Sequence, residues 1–298
     1  MVKYLILGAG LTGLNTAYFL KKNYLLAEKE DKIGGLAKSI KKKGYIFDYA
    51  EHFLRISSKE IENLIGRLMN GNIISQKLIS AIYFKKKYIP YSFQDNIREL
   101  SLTELKKCAK SLIQNYINRE KNKTKFSNFK EYIYYQYGTY IAEEFMIPYN
   151  QKIWSMDPEK MNTSWFLGTK FIRSFSLDDI IDRILPKTNT KENKNLIRYY
   201  PKEGGIQAFA ESYKNHLKDI ALNHKAIKVD IENKTVLFDN DCEKRYEYLI
   251  STIPLPNLLK IIIDLPENIK NFIPNLKYNS LFCLNLCLNY PNKHKYHW

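Results

Sequence analysis

Residues 3–7 of the chain, Lys-Tyr-Leu-Ile-Leu, make a nearly unbroken apolar run of the length and kind that a fully buried strand carries. Gly8, Gly10 and Gly13 follow, and residues 14–21 then place their apolar positions at helical spacing. Residues 24–28 form a second apolar run that closes on an acid, Glu28. Strand, glycine turn, helix and strand in this order predict a βαβ unit with parallel strands. Residues 44–50 and 80–91 alternate Tyr, Ile and Phe with polar positions and predict strands of a second sheet. From 101 to 148 the period turns helical, with Leu102, Leu105, Leu112, Ile113 and Tyr116 on one face and Tyr132, Ile133, Ile141 and Phe145 later, so a helical insertion is expected. Residues 119–125 and 186–195 are polar and read as solvated loops. Residues 204–217 are again helical in pattern, while 227–229, 235–238 and 248–253 read as strands that return the chain to the first sheet. Near the end, Cys283 and Cys287 share one face of an alternating run whose other face is Phe282, Leu284, Leu286 and Leu288, which predicts a strand with both thiols as packing residues. No repeat of fixed period is present.

The fold class that follows is α/β with α+β insertions. Residues 1–80 and 200–298 make one discontinuous domain, and 81–199 a second that holds a mixed or antiparallel sheet and the helical insertion. With 298 residues, 45% of them hydrophobic and 26% charged, the chain has the composition of a packed globular protein, which excludes wholesale disorder and fibrous repeats.

The formal charge of +16 raises nucleic acid as a partner. Distribution argues against it, because only eight of the 47 basic residues are arginine and the lysines are scattered along the whole chain. Such a surface fits solubility and the steering of small anionic ligands. No run of eighteen apolar residues occurs, so no transmembrane helix is predicted, although a peripheral membrane contact stays open. The glycines inside the first apolar stretch, with only Lys3 as a preceding cation, do not make a secretion signal. Four cysteines without a Cys-x-x-Cys pair fit a reducing compartment, and a cytoplasmic location is expected. No metal-ligand spacing stands out.

Gly8-Ala9-Gly10-Leu11-Thr12-Gly13 satisfies G-x-G-x-x-G between a strand and a helix. In that setting the first glycine makes the tight turn, the second admits a pyrophosphate against the backbone, and the third lets the helix pack closely. The unpaired N–H groups and the positive end of the helix dipole would face the phosphates. Glu28 lies twenty residues after Gly8, at the end of the second strand, where a carboxylate accepts hydrogen bonds from ribose hydroxyls and disfavours a 2′-phosphate. These features make a Rossmann-type dinucleotide-binding domain, and alone they would also suit an NAD-dependent dehydrogenase.

The segment from Glu28 to Ser39 carries the pair Gly34-Gly35 just after the ribose acid, and here the chain resembles the FAD-binding start of the flavin amine oxidase, protoporphyrinogen oxidase and UDP-galactopyranose mutase superfamily. The resemblance implies that FAD is the cofactor and that Gly8, Gly10, Leu11, Thr12, Gly13, Glu28, Lys29, Gly34, Gly35 and Leu36 line it. It continues at residues 44–52, with Ala50 and Glu51 where the family has glycines and His52 near the isoalloxazine, then at 88–94, 148–158, 200–206 and 248–256. By the same analogy Ala226 lies beside the adenine through its backbone, and Tyr149 and Trp154 fall in the region that meets uridine in the mutases. Arg173 sits where the mutases carry a phosphate-contacting arginine. Family members continue to a Gly-Asp pair at the flavin, so a chain ending at Trp298 is expected to be truncated.

His52 could move a proton beside the flavin or serve the packing, and Trp154 among Tyr149 and Ile153 reads more as a core anchor than as a stacking platform. The leading expectation is an FAD-dependent oxidoreductase in which a small-molecule substrate gives hydride to flavin N5. The alternatives are a redox-neutral isomerase of nucleotide sugars, similar to UDP-galactopyranose mutase, and an inactive flavoprotein-like remnant.

Overall fold

The computed structural model describes residues 1–121, 126–165, 175–186, 197–291 and 296–297. Its elements run β1 (Val2–Leu7), α1 (Leu11–Leu20), β2 (Tyr24–Ala27), β3 (Ser39–Lys42), β4 (Tyr45–Asp48), α2 (Lys59–Met69) and β5 (Ile74–Lys77). There follow β6 (Ala81–Phe84), β7 (Lys87–Pro90), α3 (Leu102–Lys121), α4 (Phe129–Ile141), α5 (Ile147–Trp154) and α6 (Leu177–Ile184). The chain continues with β8 (Ile197–Tyr200), α7 (Gln207–Glu211), β9 (Ile220–Ala221), β10 (Ala226–Asp230), β11 (Thr235–Phe238), β12 (Glu243–Ser251) and α8 (Leu255–Ile261). Two compact units result, one of Met1–Lys77 with Ile197–Asn289 and one of Leu78–Leu196 with Tyr290–Trp298. The sequence pattern put 290–298 with the first domain; its described residues group with the second.

The first unit is built on a six-stranded sheet in the order β10-β11-β12-β1-β2-β9. β1 pairs in parallel with β2 on one side and β12 on the other, and β9 adds to β2 in parallel, while β10 and β11 continue beyond β12 as antiparallel strands. Alternate residues of β1 enter two separate cores. Ile6 packs with Leu14, Ala17, Leu26, Leu68 and Tyr213, whereas Leu5 and Leu7 pack with Val229, Val236, Phe238 and Tyr246. Burial on both faces is why the sequence there reads as a continuous apolar run. Because the chain reaches β2 and β12 on opposite sides of β1, the carboxyl end of β1 is a topological switch point, where open α/β sheets form their ligand crevice.

The second unit has a core of Phe93, Ile97, Leu112, Ile133 and Phe145, with the Phe93 and Phe145 rings stacked at 4.1 Å. α4 is broken at Gly138, whose φ of +72° is not helical, and Ser111 Oγ accepts the hydrogen bond from Tyr140 N at 3.0 Å that the break leaves open. Among the described residues no helix is long and apolar enough to cross a membrane.

Four expectations change. The strands at 44–50 and 80–91 do not share a second sheet; β3–β4, β5–β8 and β6–β7 are three separate two-stranded ribbons, since alternation reports one-sided burial and not the ladder to which a strand belongs. Residues 119–121 extend α3, with Arg119 half-buried, donating to Phe175 O at 2.7 Å and lying over the Tyr135 ring, while residues 122–125 lie outside the described ones. The expected helix at 204–217 is confined to α7 and a 3-10 turn at Lys214–His216, and residues 187–196 lie outside the described ones. Cys283 and Cys287 are exposed, and residues 282–288 form no strand.

Candidate functional site

The switch point holds the glycine turn. Gly8 N donates to Ala27 O at 2.8 Å, and Thr252, the residue after β12, donates its hydroxyl to Leu7 O at 2.9 Å and Gly8 O at 3.0 Å. A Cβ on Gly13 would overlap the Gly8 carbonyl oxygen, so α1 lies on the turn as closely as backbone permits. Gly10 is different. A Cβ there would meet only Gly35 Cα, at 3.9 Å, so the second glycine faces open space.

α1 begins at Leu11 with Gly10 as N-cap, no side-chain cap and no acid in the first turn. Its first internal bond is Leu14 N to Gly10 O at 3.0 Å, which leaves the N–H groups of Leu11, Thr12 and Gly13 without intrahelical acceptors. Three donors at the positive end of a helix favour anionic oxygen. The pair Gly34-Gly35 closes the other side of the cradle, with Gly34 N donating to Ala9 O at 2.8 Å and φ values of +119° and +59° that favour glycine.

Glu28 directly follows β2 and is only 6% exposed. Its Oε2 accepts from Ala9 N at 2.7 Å and its Oε1 from Glu30 N at 3.1 Å, so two of about four lone-pair positions remain to accept a vicinal diol. Lys29 lies 3.2 Å from Glu30 and Lys38 3.9 Å from it, and Lys29 first, then Lys38, holds the Glu30 carboxyl below the ordinary range. The chain 223–224 runs alongside, with His224 N donating to Glu28 O at 2.8 Å, and Ala226 starts β10 two residues on. Open backbone at Gly10, a helix start whose first N–H groups have no intrahelical acceptors, and an acid with spare acceptor sites fit an adenine dinucleotide. Leu36, at 77% exposure, offers its side chain to solvent.

His52 is half-buried, with Nδ1 2.7 Å from Ala50 O. A carbonyl only accepts, so Nδ1 carries a proton toward Ala50 and Nε2 is the ring nitrogen left for another partner. In the second unit Tyr149 stacks on Phe145 at 5.0 Å, and burial pushes its hydroxyl up to about 12. Trp154 is 41% exposed at the end of α5 and meets Trp165 edge-on at 5.8 Å. At that exposure it is no core anchor, which corrects the reading of its apolar neighbours. Arg173 lies outside the described residues.

Sequence reasoning missed the support of the cradle. Thr252, Ser39 and Asp48 fell within its motifs without roles and Gln207 one residue beyond one, and the available signal was position alone: Thr252 follows the strand beside β1, and Gln207 lies two residues after Gly204-Gly205. An open cleft of about 620 Å³ lies in the same unit, between Lys41, Ile46 and the turn 201–205.

Residues 6–68 match the family model of an NAD(P)-binding Rossmann-like domain. The crystal structure of reduced UDP-galactopyranose mutase is similar over 92% of this chain and 60% of that one, with 28% identity and a TM-score of 0.81. An Exiguobacterium protein assigned as a protoporphyrinogen oxidase has 15% identity and a TM-score of 0.65, covering 91% of this chain and 63% of its own. A redesigned putrescine oxidase has 16% identity and a TM-score of 0.58, with 92% and 63% covered. The chain thus spans under two thirds of the length of each. It opens with a Rossmann-like domain and shares the fold of the mutase and of the two oxidases.

Proposed function

We propose that the chain binds FAD at the β1–α1 cradle and acts on a nucleotide sugar as a flavin-dependent, redox-neutral isomerase. The observation that carries this reading is the likeness to UDP-galactopyranose mutase, whose identity and TM-score exceed those of the oxidases over the same share of the chain. Glu28 accepts from the adenosine ribose, the N–H groups of Leu11, Thr12 and Gly13 hold the diphosphate, and the backbone at Gly34, Gly35 and Ala226 approaches the cofactor. Lys29 and Leu36 flank these contacts. When bound and reduced, the flavin supplies a nucleophilic N5 toward the anomeric carbon of the sugar. His52 takes a proton at Nε2, and Trp154 with Tyr149 stacks the nucleotide base, a use that their exposed and half-buried rings allow. Residues 1–80 and 200–298 carry the cofactor in this reading, and 81–199 carry the substrate contacts.

The second reading, an oxidoreductase that passes hydride from substrate to flavin, draws on the fold shared with the putrescine oxidase. One anaerobic experiment separates them. The purified chain is expected to bind FAD with the visible spectrum of a flavoprotein and to interconvert the pyranose and furanose forms of a UDP-sugar only after dithionite reduction. Bleaching of the flavin by an amine or other donor, with no UDP-sugar turnover, would favour the oxidoreductase. A chain that takes up no FAD would overturn both.

A further inference from the structure

The Gly34-Gly35 turn is held by side chains from two other segments. Gln207 Nε2 donates to Ile33 O at 2.9 Å and to Glu211 Oε1 at 3.0 Å, so both amide protons are used and the amide has one orientation. Gln207 N donates to Ser39 Oγ at 3.0 Å, and Ser39 Oγ donates to Asp48 Oδ1 at 2.6 Å. Asp48 Oδ1 also accepts from Ile206 N at 3.2 Å, and its Oδ2 accepts from the Tyr200 hydroxyl at 2.7 Å. Gly205 backs onto this knot, where a Cβ would come within 2.8 Å of Asp48 Oδ1. One carboxylate and one amide thereby tie residues 33–39, 45–48 and 200–207 together.

Otherwise the turn is held through its backbone. Gly34 and Gly35 have no side chains; Gly34 N donates to Ala9 O, Ala37 N donates to Gly34 O at 2.9 Å, Gly34 makes a parallel bridge with Gly10, and Gly35 approaches Gly10. A glycine pair left to itself samples many conformations, and ordering it on binding costs affinity. We propose that Gln207, with Asp48 behind it, is a positioning residue for the dinucleotide diphosphate: it fixes the Gly34-Gly35 turn at the separation from Gly10 that the ligand requires. This inference rests on the dinucleotide reading of the cradle and adds residues that touch the turn and not the ligand.

The test compares Gln207→Met, which keeps length and loses both donors, with Gln207→Lys, whose ammonium can donate to Ile33 O and Glu211. FAD and ADP are titrated against each folded chain, and amide hydrogen exchange at Gly34 is followed without ligand. The expected result is at least about ten-fold weaker binding of both ligands by Gln207→Met, with faster Gly34 exchange, and recovery to within about three-fold in Gln207→Lys. Unchanged affinity and unchanged exchange in Gln207→Met, with the wild-type chain binding both ligands, overturn the positioning role alone. A wild-type chain that binds neither ligand overturns the dinucleotide reading and this role with it. Should Gln207→Met fail to fold, Asp48→Asn, which leaves Gln207 in place and weakens the acceptor behind it, takes its place with the same two outcomes.

Discussion

Gly10 and Gly13 stand three residues apart in one turn, yet a methyl group meets different surroundings at each. At Gly13 it would overlap the Gly8 carbonyl oxygen, a backbone atom pinned by the Thr252 hydroxyl, so α1 would have to lift off the turn. Helix propensity alone favours alanine over glycine there by about 1 kcal/mol. The overlap outweighs that gain, and Gly13→Ala is expected to cost about 1–3 kcal/mol in chemical denaturation. At Gly10 the added methyl finds only Gly35 Cα at 3.9 Å, and an N-cap alanine in place of glycine costs on the order of 0.5–1 kcal/mol. Gly10→Ala is therefore expected to lower the denaturation midpoint less than Gly13→Ala while weakening FAD binding at least about ten-fold, because the methyl occupies the space of the diphosphate. Equal loss of stability in both variants would show that Gly10 serves packing and not a ligand.

Among the elements, the β6–β7 ribbon is fastened to α3 and α4 by charge. Glu104 of α3 accepts from the Tyr140 hydroxyl, from Lys85 Nζ at 2.9 Å and from Lys107 Nζ at 3.2 Å. The Tyr140 hydrogen bond first, then Lys85, holds its carboxyl down at about 2 against an ordinary 4.5. A carboxyl depressed in the folded state contributes stability that is complete above the unfolded value and is lost as pH falls toward the folded one. Glu104→Gln should therefore lower the thermal midpoint most at pH 7, and its curve should meet that of the wild type as pH approaches 2. Lys85 and Lys107 are 42% and 50% exposed, so added salt should narrow the gap at pH 7. A constant gap across this pH range would place the effect of the substitution in packing. The same elements show where pattern reading stops. β1, α1 and β2 were legible because a run of apolar residues, three spaced glycines and a terminal acid are local signals. The break of α4 was not: Tyr132–Ile141 keeps an apolar stripe straight through Gly138, and the cause of the break, Ser111 lying against that glycine, belongs to another helix. The tie between Asp48 and Ile206 joins positions 158 residues apart, beyond the reach of any periodicity.

For the whole molecule, the distribution of apolar surface sets the sharpest test. Cys108 is 1% exposed in the second core, and burial pushes its thiol up to about 12, so it is inert as a nucleophile at neutral pH. Cys283 and Cys287 belong to a stretch in which Phe282, Leu284, Leu286 and Leu288 are 90%, 70%, 70% and 61% exposed. The alternation that predicted a packed strand is real in the sequence, but a strand needs a ladder, and pattern cannot say whether one is at hand. Apolar residues displayed together in extended chain favour association between molecules. Thiol titration of the native protein at pH 8 should find Cys283 and Cys287 fast and Cys108 silent until denaturant is added. Slow reaction at both exposed positions would mean that this stretch is covered in solution. Replacing Leu284 and Leu286 by lysine should then discriminate further: if the stretch is bare, the double variant sediments with less aggregate and keeps both its thermal midpoint and its FAD binding, whereas a fall in the midpoint would mean that these leucines pack in the folded protein.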